Sequence, residues 1–444
     1  MARKMKDSGI EWIGEIPTDF SLYKLKYLLS SPLCYGANES GTLYSDILPR
    51  YIRITDISPN GTLKNSGMLS LDESSAQNYM LHEGDILFAR SGATVGKSFI
   101  YHNYYGRAAY AGYLIKASFN KLVLPEFVYY YTCSSAYEIW KNSIFIQSTI
   151  QNIGADRYSN LPISVPNSID KQLRIVRYLN NFCSKFDAII YNLQTSIEDY
   201  KKLKQSVITQ AVTKGVRGER EMKDSGVEWI GEIPKAWIIS NIGRFCFVTK
   251  LAGFEYTKEM DGHISPYGDV PIVRAQNIKM GRFIPNTREY ISLALSQKLS
   301  RCALNEKCLI ITFIGAGIGE VALFSNATRH HLAPNVAKIV INHDMKQFLD
   351  DRFLLYFLMS SAGQEEVNKI KKATAQPSLS MQTIRSIKLA FPSTLQEQKE
   401  IADYLDAKCA EIDKLIAKKE QLVKELEGYK KSLIYEVVTG KREV

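Results

Sequence analysis

The hydrophobic pattern separates two kinds of segment along the chain. Over 167–216 and 393–444, apolar residues recur at alternating spacings of three and four, which is the a/d pattern of a coiled coil and predicts two long helices. Ser168 and Thr394 stand at the expected N-cap positions of these helices. The residues predicted to pack along the two apolar stripes are Phe186, Leu193, Tyr200, Val207, Ile412, Leu415, Leu422, Leu426 and Leu433.

The remaining segments, 1–166 and 217–392, follow a different pattern. Short apolar or aromatic runs, such as residues 85–90, are punctuated by Gly, Pro, Asn and Asp, which is typical of strands and turns. Longer apolar stretches at 125–140 and 350–368 predict helices between the strands. The sequence therefore predicts an α+β fold.

The chain contains an internal repeat. Residues 5–17 read MKDSGIEWIGEIP and residues 222–234 read MKDSGVEWIGEIP, so one position differs, at an offset of 217. Gln172 and Gln398 match at an offset of 226. We therefore predict a tandem pseudo-repeat of two mixed α/β domains. The predicted boundaries are 1–166 for the first domain, 167–216 for the central helix, 217–392 for the second domain and 393–444 for the C-terminal helix.

The two predicted helices each need a partner. A single narrow apolar stripe on a helix of about 45 residues cannot be buried by that helix alone. Two such helices in one chain are expected to pack against each other, and the pseudo-twofold relation of the repeats requires them to run antiparallel. The two domains would then be joined by two long antiparallel coiled-coil helices. Separate helical hairpins, or coiled coils between chains, are the alternatives.

Composition narrows the class of protein. Hydrophobic residues make up 45% and charged residues 23% of the chain, which are values of a globular protein. The net charge of +10 permits a polyanionic partner such as nucleic acid but does not require one. The seven cysteines form no CxxC pair, and no apolar run reaches 18 residues. We therefore expect reduced thiols, a cytoplasmic location and no membrane span.

A glycine-rich loop at 91–98 resembles a phosphate-binding loop. Three residues separate Gly92 from Gly96, whereas the nucleotide-binding pattern requires four. The counterpart loop in the second half carries Glu320 where the first carries Lys97. Neither a nucleotide site nor a methyl-donor site is expected here, because Glu320 also replaces the third glycine of GxGxxG.

The same loops suit contact with a polyanion, and a tight turn that only glycine can adopt is the alternative. The candidate residues are Arg90, Ser91, Thr94, Lys97 and Ser98 in the first loop, and Gly315 and Gly317 in the second.

Two further shared elements carry polar side chains of the types that contact base edges, although such groups can also cap a turn. The first element contains Arg53, Thr55 and Asp56, with Arg274, Gln276 and Asn277 as counterparts. The second contains Gln147 and Gln151, with Gln376 and Ser378 as counterparts. The six histidines occupy no equivalent positions in the two halves, so no catalytic residue and no metal ligand is predicted.

Several of these segments together resemble the specificity subunits of type I restriction–modification systems. They are the repeated segment at 5–17 and 222–234, GDILFARSGATVGK at 84–97, the Gln-Pro pair at 376–377, and the Pro-x-x-x-x-x-Gln runs at 166–172 and 392–398. The resemblance extends over essentially the whole chain. The first half departs from it by having Ser-Thr-Ile-Gln where the second half has Gln-Pro.

The resemblance implies a non-catalytic subunit for bacterial defence. Two target-recognition domains would each read one part of a split, asymmetric double-stranded DNA sequence, with the helices as spacers. Two modification subunits, which are adenine-N6 methyltransferases that use S-adenosylmethionine, and restriction subunits that use ATP and Mg²⁺, would assemble on it. This chain would bind no cofactor itself. A coiled-coil adaptor that binds protein partners without reading DNA is the alternative function.

Overall fold

The computed structural model describes residues 3–58, 61–146, 151–373 and 378–444. The chain forms two compact units, one made of Met1–Gln194 with Glu420–Val444 and the other of Thr195–Lys419. We call them unit 1 and unit 2. Each unit contains one globular domain and a part of both long helices, whereas the sequence pattern set the helices apart as separate segments. Within the described ranges, no helix combines the length and the apolar character needed to cross a lipid bilayer.

The strands of unit 1 are short. They are β1 (Met5–Asp7), β2 (Glu15–Pro17), β3 (Phe20–Lys24), β4 (Cys34–Tyr35), β5 (Thr42–Leu43), β6 (Arg50–Ile52), β7 (Leu69–Ser70), β8 (Ile86–Ala89), β9 (Ser98–Ile100), β10 (Ala108–Tyr110), β11 (Leu114–Ala117) and β12 (Pro162–Pro166). The helices of this half of the chain are α1 (Glu73–Ala76), α2 (Pro125–Thr132), α3 (Ser135–Ile146), α4 (Ala155–Ser159) and the long α5 (Ile169–Lys214), which continues into unit 2.

Unit 2 has a similar content of strands and helices. They are β13 (Met222–Asp224), β14 (Glu232–Pro234), β15 (Ile238–Asn241), β16 (Cys246–Lys250), β17 (Val270–Val273), β18 (Ile278–Lys279), β19 (Arg282–Phe283), β20 (Tyr290–Ile291), β21 (Ala303–Leu304), β22 (Cys308–Thr312), β23 (Val321–Phe324), β24 (His330–Leu332), β25 (Val336–Ile341) and β26 (Lys388–Phe391). Its helices are α6 (Gly253–Glu255), α7 (Leu293–Lys298), α8 (Asp351–Met359), α9 (Ser361–Ala373), α10 (Met381–Ser386) and α11 (Leu395–Val438).

One four-stranded sheet, one parallel strand pair and one antiparallel strand pair recur in the two units. Unit 1 has a four-stranded sheet in the order β4-β11-β8-β9, and unit 2 has one in the order β16-β25-β22-β23. In a second sheet, β10 pairs in parallel with β6, as β24 does with β17. The strand before each long helix pairs antiparallel with an early strand, β12 with β3 and β26 with β15. The internal repeat of the sequence is therefore a repeat of topology.

The central strands are buried on both faces. Side chains alternate along a strand, so Ile86 and Phe88 of β8 enter one hydrophobic core of unit 1 and Leu87 enters another. In β22, Leu309 and Ile311 likewise enter one core of unit 2, while the neighbouring residues enter a second. Double burial explains why these strands appear in the sequence as continuous apolar runs rather than as an alternating pattern.

The repeated segment forms the same hairpin in both units. Strand β1 pairs with β2 from Met5 opposite Pro17, and β13 pairs with β14 in the corresponding register. Asp7 accepts a hydrogen bond from the Gly9 backbone N–H at 2.9 Å, and Asp224 caps its own turn in the same way. The turn glycines have φ near +70°, which side-chain-bearing residues rarely adopt. The near identity of the two segments therefore has a structural basis.

Both predicted long helices are present. Helices α5 and α11 contain 46 and 44 residues and begin one residue after Ser168 and Thr394. The Thr394 hydroxyl accepts the Glu397 backbone N–H at 3.4 Å, as an N-cap does. Gly215 and Gly440, with φ of 78° and 73°, follow their C-termini.

The two helices contact each other within each unit. In unit 1 the Lys430 ammonium donates to Asp187 at 2.6 Å, and the rings of Phe186 and Tyr429 lie 5.6 Å apart. In unit 2 Lys204 donates to Asp413 at 2.7 Å, and Lys419 lies over the Tyr200 ring. Residue numbers rise on one helix as they fall on the other in unit 2, so these segments run antiparallel.

Burial along the helices corrects part of the predicted stripe. Leu415 and Leu422 are 37% and 42% exposed, so their assignment as packing residues is wrong. On α5, Ile190 and Ile197, which lie beside the predicted stripe, are buried. A straight helix drifts by about 20° per heptad against a strict seven-residue repeat, so residues at the edge of a long stripe turn towards solvent. Ile412 and Leu433 are buried, and Phe186, Leu193, Tyr200, Val207 and Leu426 are half-buried.

Candidate nucleic-acid interface

The two glycine loops are the same closed turn. In unit 1 the Gly96 N–H donates to the Ala89 carbonyl at 2.9 Å, and the Ala89 N–H donates to Lys97 at 2.8 Å. In unit 2 Gly319, Thr312 and Glu320 make the corresponding pair of bonds, each at 2.9 Å. Gly92, Gly96, Gly315 and Gly319 all have positive φ, whereas Gly317 does not. The tight-turn alternative therefore accounts for most of the glycine content.

Much of the loop backbone is committed to the turn itself. The N–H groups of Val95, Gly96 and Lys97 all donate to carbonyls of the same loop, so they are not directed at a ligand. The Ser98 hydroxyl is hydrogen-bonded to Thr132 at 2.6 Å, which argues against its predicted role in binding. The side chains of Ser91, Thr94 and Lys97 are partly exposed, and Gly315 is exposed. The groups that can bind a ligand here are therefore the exposed side chains and not the backbone N–H groups.

The loops differ in charge. Lys97 in unit 1 is replaced by Glu320 in unit 2, but a Glu320 carboxylate oxygen lies 3.5 Å from the Lys279 ammonium. Lys279 belongs to β18 and is exposed. In unit 2 the positive charge of Lys279 on β18 therefore compensates the negative charge of Glu320.

The element around Gln151 and Ser378 lies against the base of the glycine loop. The Ile153 N–H donates to the Arg90 carbonyl at 2.8 Å in unit 1, and Leu379 donates to Phe313 at 2.7 Å in unit 2. Both Gln151 and Ser378 are exposed beside these contacts. The structure therefore brings together two of the three predicted elements in each unit. Gln147 and Gln376 lie outside the described residues.

The element around Arg53 and Arg274 is a capped turn. Asp56 is 4% exposed, accepts the Arg53 backbone N–H at 2.8 Å and holds the Arg53 guanidinium at 2.8 Å. Asn277 is 2% exposed and accepts the Arg274 N–H at 2.9 Å. Both side chains are used to close the turn, so the prediction that Asp56 and Asn277 contact bases is not supported. The adjacent Thr55 and Gln276 are exposed.

The arginines of these turns are themselves paired. Arg53 also donates to the Gly67 carbonyl at 2.7 Å, and Arg274 forms an ion pair with Glu289. The hydrogen bond to Asp56 raises the pKa of Arg53. Both guanidinium groups are only partly exposed, so their first role is to hold the turn.

A cation and an aromatic ring are stacked at the base of each glycine loop. Arg90 lies over the Tyr35 ring, with 4.9 Å from the guanidinium carbon to the ring centroid. In unit 2 the Lys250 ammonium lies 4.2 Å from the centroid of Phe313. Lys250 and Tyr35 were missed by the sequence analysis because they are 215 residues apart, an offset that no other match shares.

The strand register shows that the two stacked pairs are equivalent. In unit 1, Phe88 on β8 pairs with Ile115 on β11, which pairs with Tyr35 on β4. In unit 2 the corresponding row consists of Ile311, Ala337 and Lys250. Tyr35 and Lys250 therefore occupy the same position. Arg90 and Phe313, which directly follow β8 and β22, also correspond.

Several cysteine thiols are buried in the cores, where their pKa values are raised. Burial raises the pKa of the Cys133, Cys246 and Cys308 thiols to about 12, so they are protonated at neutral pH and are poor nucleophiles. No group of three or more His, Cys, Asp or Glu side chains among the described residues is arranged to hold a metal ion.

Comparison with known proteins places this geometry in a family. The model of the type I restriction modification DNA specificity domain matches residues 44–199 and 234–425. The specificity subunit of type I restriction enzyme MjaVIII from Methanocaldococcus jannaschii is 23% identical over 366 residues, covering 82% of this chain and 80% of the relative. The EcoKI specificity subunit from Escherichia coli K12 is 21% identical over 213 residues, covering 48% of this chain and 44% of that subunit.

A solved structure has the same fold. The chain from a study of complex assembly and conformational transition of the type I R-M system aligns with a TM-score of 0.69 at 12% identity, covering 96% of this chain and 99% of that chain. The family model matches well over half of the present sequence, once in each half. The chain therefore belongs to the specificity subunits of type I restriction–modification systems, which are non-catalytic, and it carries two DNA recognition domains.

Proposed function

We propose that the two units read the two different parts of a split, asymmetric DNA sequence. The observation that carries this proposal is the pairing of one scaffold with two sets of side chains. Both units place a glycine loop against the element around Gln151 or Ser378. The side chains at equivalent positions differ, with Lys97 in one loop and Glu320 in the other. Two similar backbone scaffolds that carry different side chains are suited to bind two half-sites of different sequence.

In this proposal, contacts to phosphates position each unit on the DNA, and contacts to bases read its sequence. Lys97 and Arg90 supply positive charge that sets the position of unit 1 on the DNA backbone. Thr55, Gln276 and Gln151 are exposed and carry groups that can hydrogen-bond to base edges in the major groove. Ser378 has the corresponding role in unit 2.

The long helices are proposed to act as an antiparallel coiled-coil spacer that sets the distance between the half-sites. The ion pairs of Asp187 with Lys430 and of Asp413 with Lys204 support this idea, because each pair is the counterpart of the other at an offset of 226. A stiff connection raises the effective concentration of the second reader once the first has bound, so two weak contacts become one tight one.

The chain is further proposed to assemble, in the cytoplasm, with two modification subunits and with restriction subunits. The modification subunits would supply adenine-N6 methylation with S-adenosylmethionine, and the restriction subunits would use ATP and Mg²⁺. Two copies of a nearly identical hairpin, at 5–17 and 222–234, are consistent with one partner type that binds twice. This chain would contribute sequence choice and no reacting group.

The direct test is to map modified adenines across the genome of cells with and without this chain. We expect a bipartite methylated sequence that disappears with the chain. Replacing residues 1–166 with the first domain of another specificity subunit should change only one half of that sequence. Methylation that persists without the chain, or a swap that changes both halves together, would contradict the two-reader model. Binding to protein partners without salt-dependent DNA binding would favour the adaptor function instead.

A further inference from the structure

The stacked pairs at the two glycine loops, Arg90 with Tyr35 and Lys250 with Phe313, each contain one positive charge, although the residues differ between the units. At the position on the edge strand, unit 1 has Tyr35 and unit 2 has Lys250. At the position after the central strand, unit 1 has Arg90 and unit 2 has Phe313. Both positions have therefore changed their chemical class between the repeats, yet each unit retains one cation stacked on one ring.

Packing of the sheet edge does not by itself require a cation stacked on a ring in each unit. A cation on an aromatic face gains about 0.5–1 kcal/mol at an exposed site, which an apolar pair of similar size could match. Two apolar residues would therefore hold the sheet edge equally well. The retained feature is a positive charge at the point where the glycine loop meets the element around Gln151 or Ser378.

We infer that Arg90 and Lys250 are equivalent DNA-contacting cations, each held on its ring so that its remaining N–H donors reach a backbone phosphate beside the glycine loop. The inference rests on the proposed function, since the polyanion is the duplex that the two units read. It adds to that function a residue, Lys250, and a common phosphate contact for two loops of different sequence.

The surroundings of Lys250 favour an anionic ligand. Arg301 donates to the Lys250 carbonyl at 3.1 Å and to the Thr249 hydroxyl at 2.8 Å. Arg385 donates to the Val248 carbonyl at 2.8 Å. Three basic side chains thus line β16, an edge strand of its sheet, and the acid at this edge, Glu255, is paired with Arg301.

Stacking also explains how different side chains can serve one contact. The ring covers one face of the cation and limits its freedom, so less entropy is lost when the other donors meet a phosphate. Arg90 offers a planar fork and Lys250 a point charge, and both are established phosphate-binding groups.

The test uses the assembled complex of the full-length chain with its modification subunits. The probe is a short duplex that carries the methylated sequence, with a shuffled duplex for comparison. Lys250→Met keeps the aliphatic stem on Phe313 and removes the charge. We expect the slope of log affinity against log salt to fall by about 1, and affinity to drop roughly five- to tenfold on both duplexes. Lys346→Met, which removes an exposed lysine beyond the far end of β25, should leave the slope unchanged.

Exchanging the cation and the ring in unit 1 tests whether the positive charge matters more than the position that carries it. Arg90→Phe alone should lower the slope by about 1, as Lys250→Met does. Adding Tyr35→Lys installs the arrangement of unit 2 and should restore the slope. Melting temperatures of all variants identify loss of folding, and only folded variants are compared.

The outcomes distinguish a failure of the proposed function from a failure of this inference. A wild-type complex without salt-dependent preference for the methylated sequence would overturn the proposed function and this inference together. Wild-type binding with an unchanged slope in Lys250→Met would overturn the inference alone. A changed base preference at constant slope would also overturn it, because that result assigns these side chains to bases rather than to phosphates.

Discussion

Gln172 and Gln398, 226 residues apart, make the same three hydrogen bonds in their two units. The Gln172 amide oxygen accepts the Leu124 backbone N–H at 2.8 Å, and its nitrogen donates to the carbonyls of Leu122 and Pro166 at 3.0 Å. Gln398 repeats the pattern with the backbone of Asp350, Phe348 and Pro392. Both side chains are 0% exposed. Each one ties the first turn of a long helix to its domain.

Gln172→Leu should therefore be strongly destabilising. The substitution leaves one buried and two partly buried backbone groups without these partners, and a buried group left unpaired costs about 1–3 kcal/mol. We expect the free energy of unfolding to fall by about 3 kcal/mol or more, measured by urea denaturation. Gln398→Leu should cost a similar amount. Gln210→Leu, at an exposed position of α5, is the matched control and should change stability little. Equal effects at Gln172 and Gln210 would contradict this role.

The glycine turn predicts different costs for two neighbouring glycines. Gly92 and Gly96 both have positive φ, so alanine is strained at either position by about 1 kcal/mol. A Cβ atom at Gly96 would also lie 2.2 Å from the Lys141 side chain, whereas nothing lies within 4 Å of one at Gly92. We expect Gly96→Ala to lower the melting temperature more than Gly92→Ala. The reverse order would contradict the close packing of Lys141 against Gly96.

Helix length should set the gap in the recognised DNA sequence. Inserting seven residues into α5 near 195–200, with seven more into α11 near 415–420, lengthens both helices by about 10 Å. Since DNA rises by 3.4 Å per base pair, the gap between half-sites should grow by about three base pairs. Mapping of methylated adenines measures the gap directly. A methylated sequence with its original gap would rule out the helices as a spacer.

The repeat and the two long helices could be predicted from sequence because their signals are local and redundant. Residues 5–17 recur almost unchanged at 222–234, and the apolar spacing of the helices persists over more than 40 residues. The strand at 86–89 was visible as an apolar run within 85–90 because both of its faces are buried. In each case, the residues that form the element lie next to one another in the chain.

The roles of single polar residues were decided by hydrogen bonds and burial that residue type and spacing alone do not specify. Asp56 and Asn277 appeared as base-reading groups, but each closes its own turn and is buried there. The exposed state of Leu422 depends on helix rotation, which the repeat pattern alone does not specify.

The sequence by itself determined that one unit is used twice, with two helices of matching length and no shared catalytic set. Hydrophobic burial produced the helix signal, since it acts on whole segments and repeats along the chain. Only the tertiary structure decided that Tyr35 corresponds to Lys250, because strand pairing sets that correspondence across variable loop lengths. The exchange of a cation and a ring between two positions is invisible until the register of three strands is known.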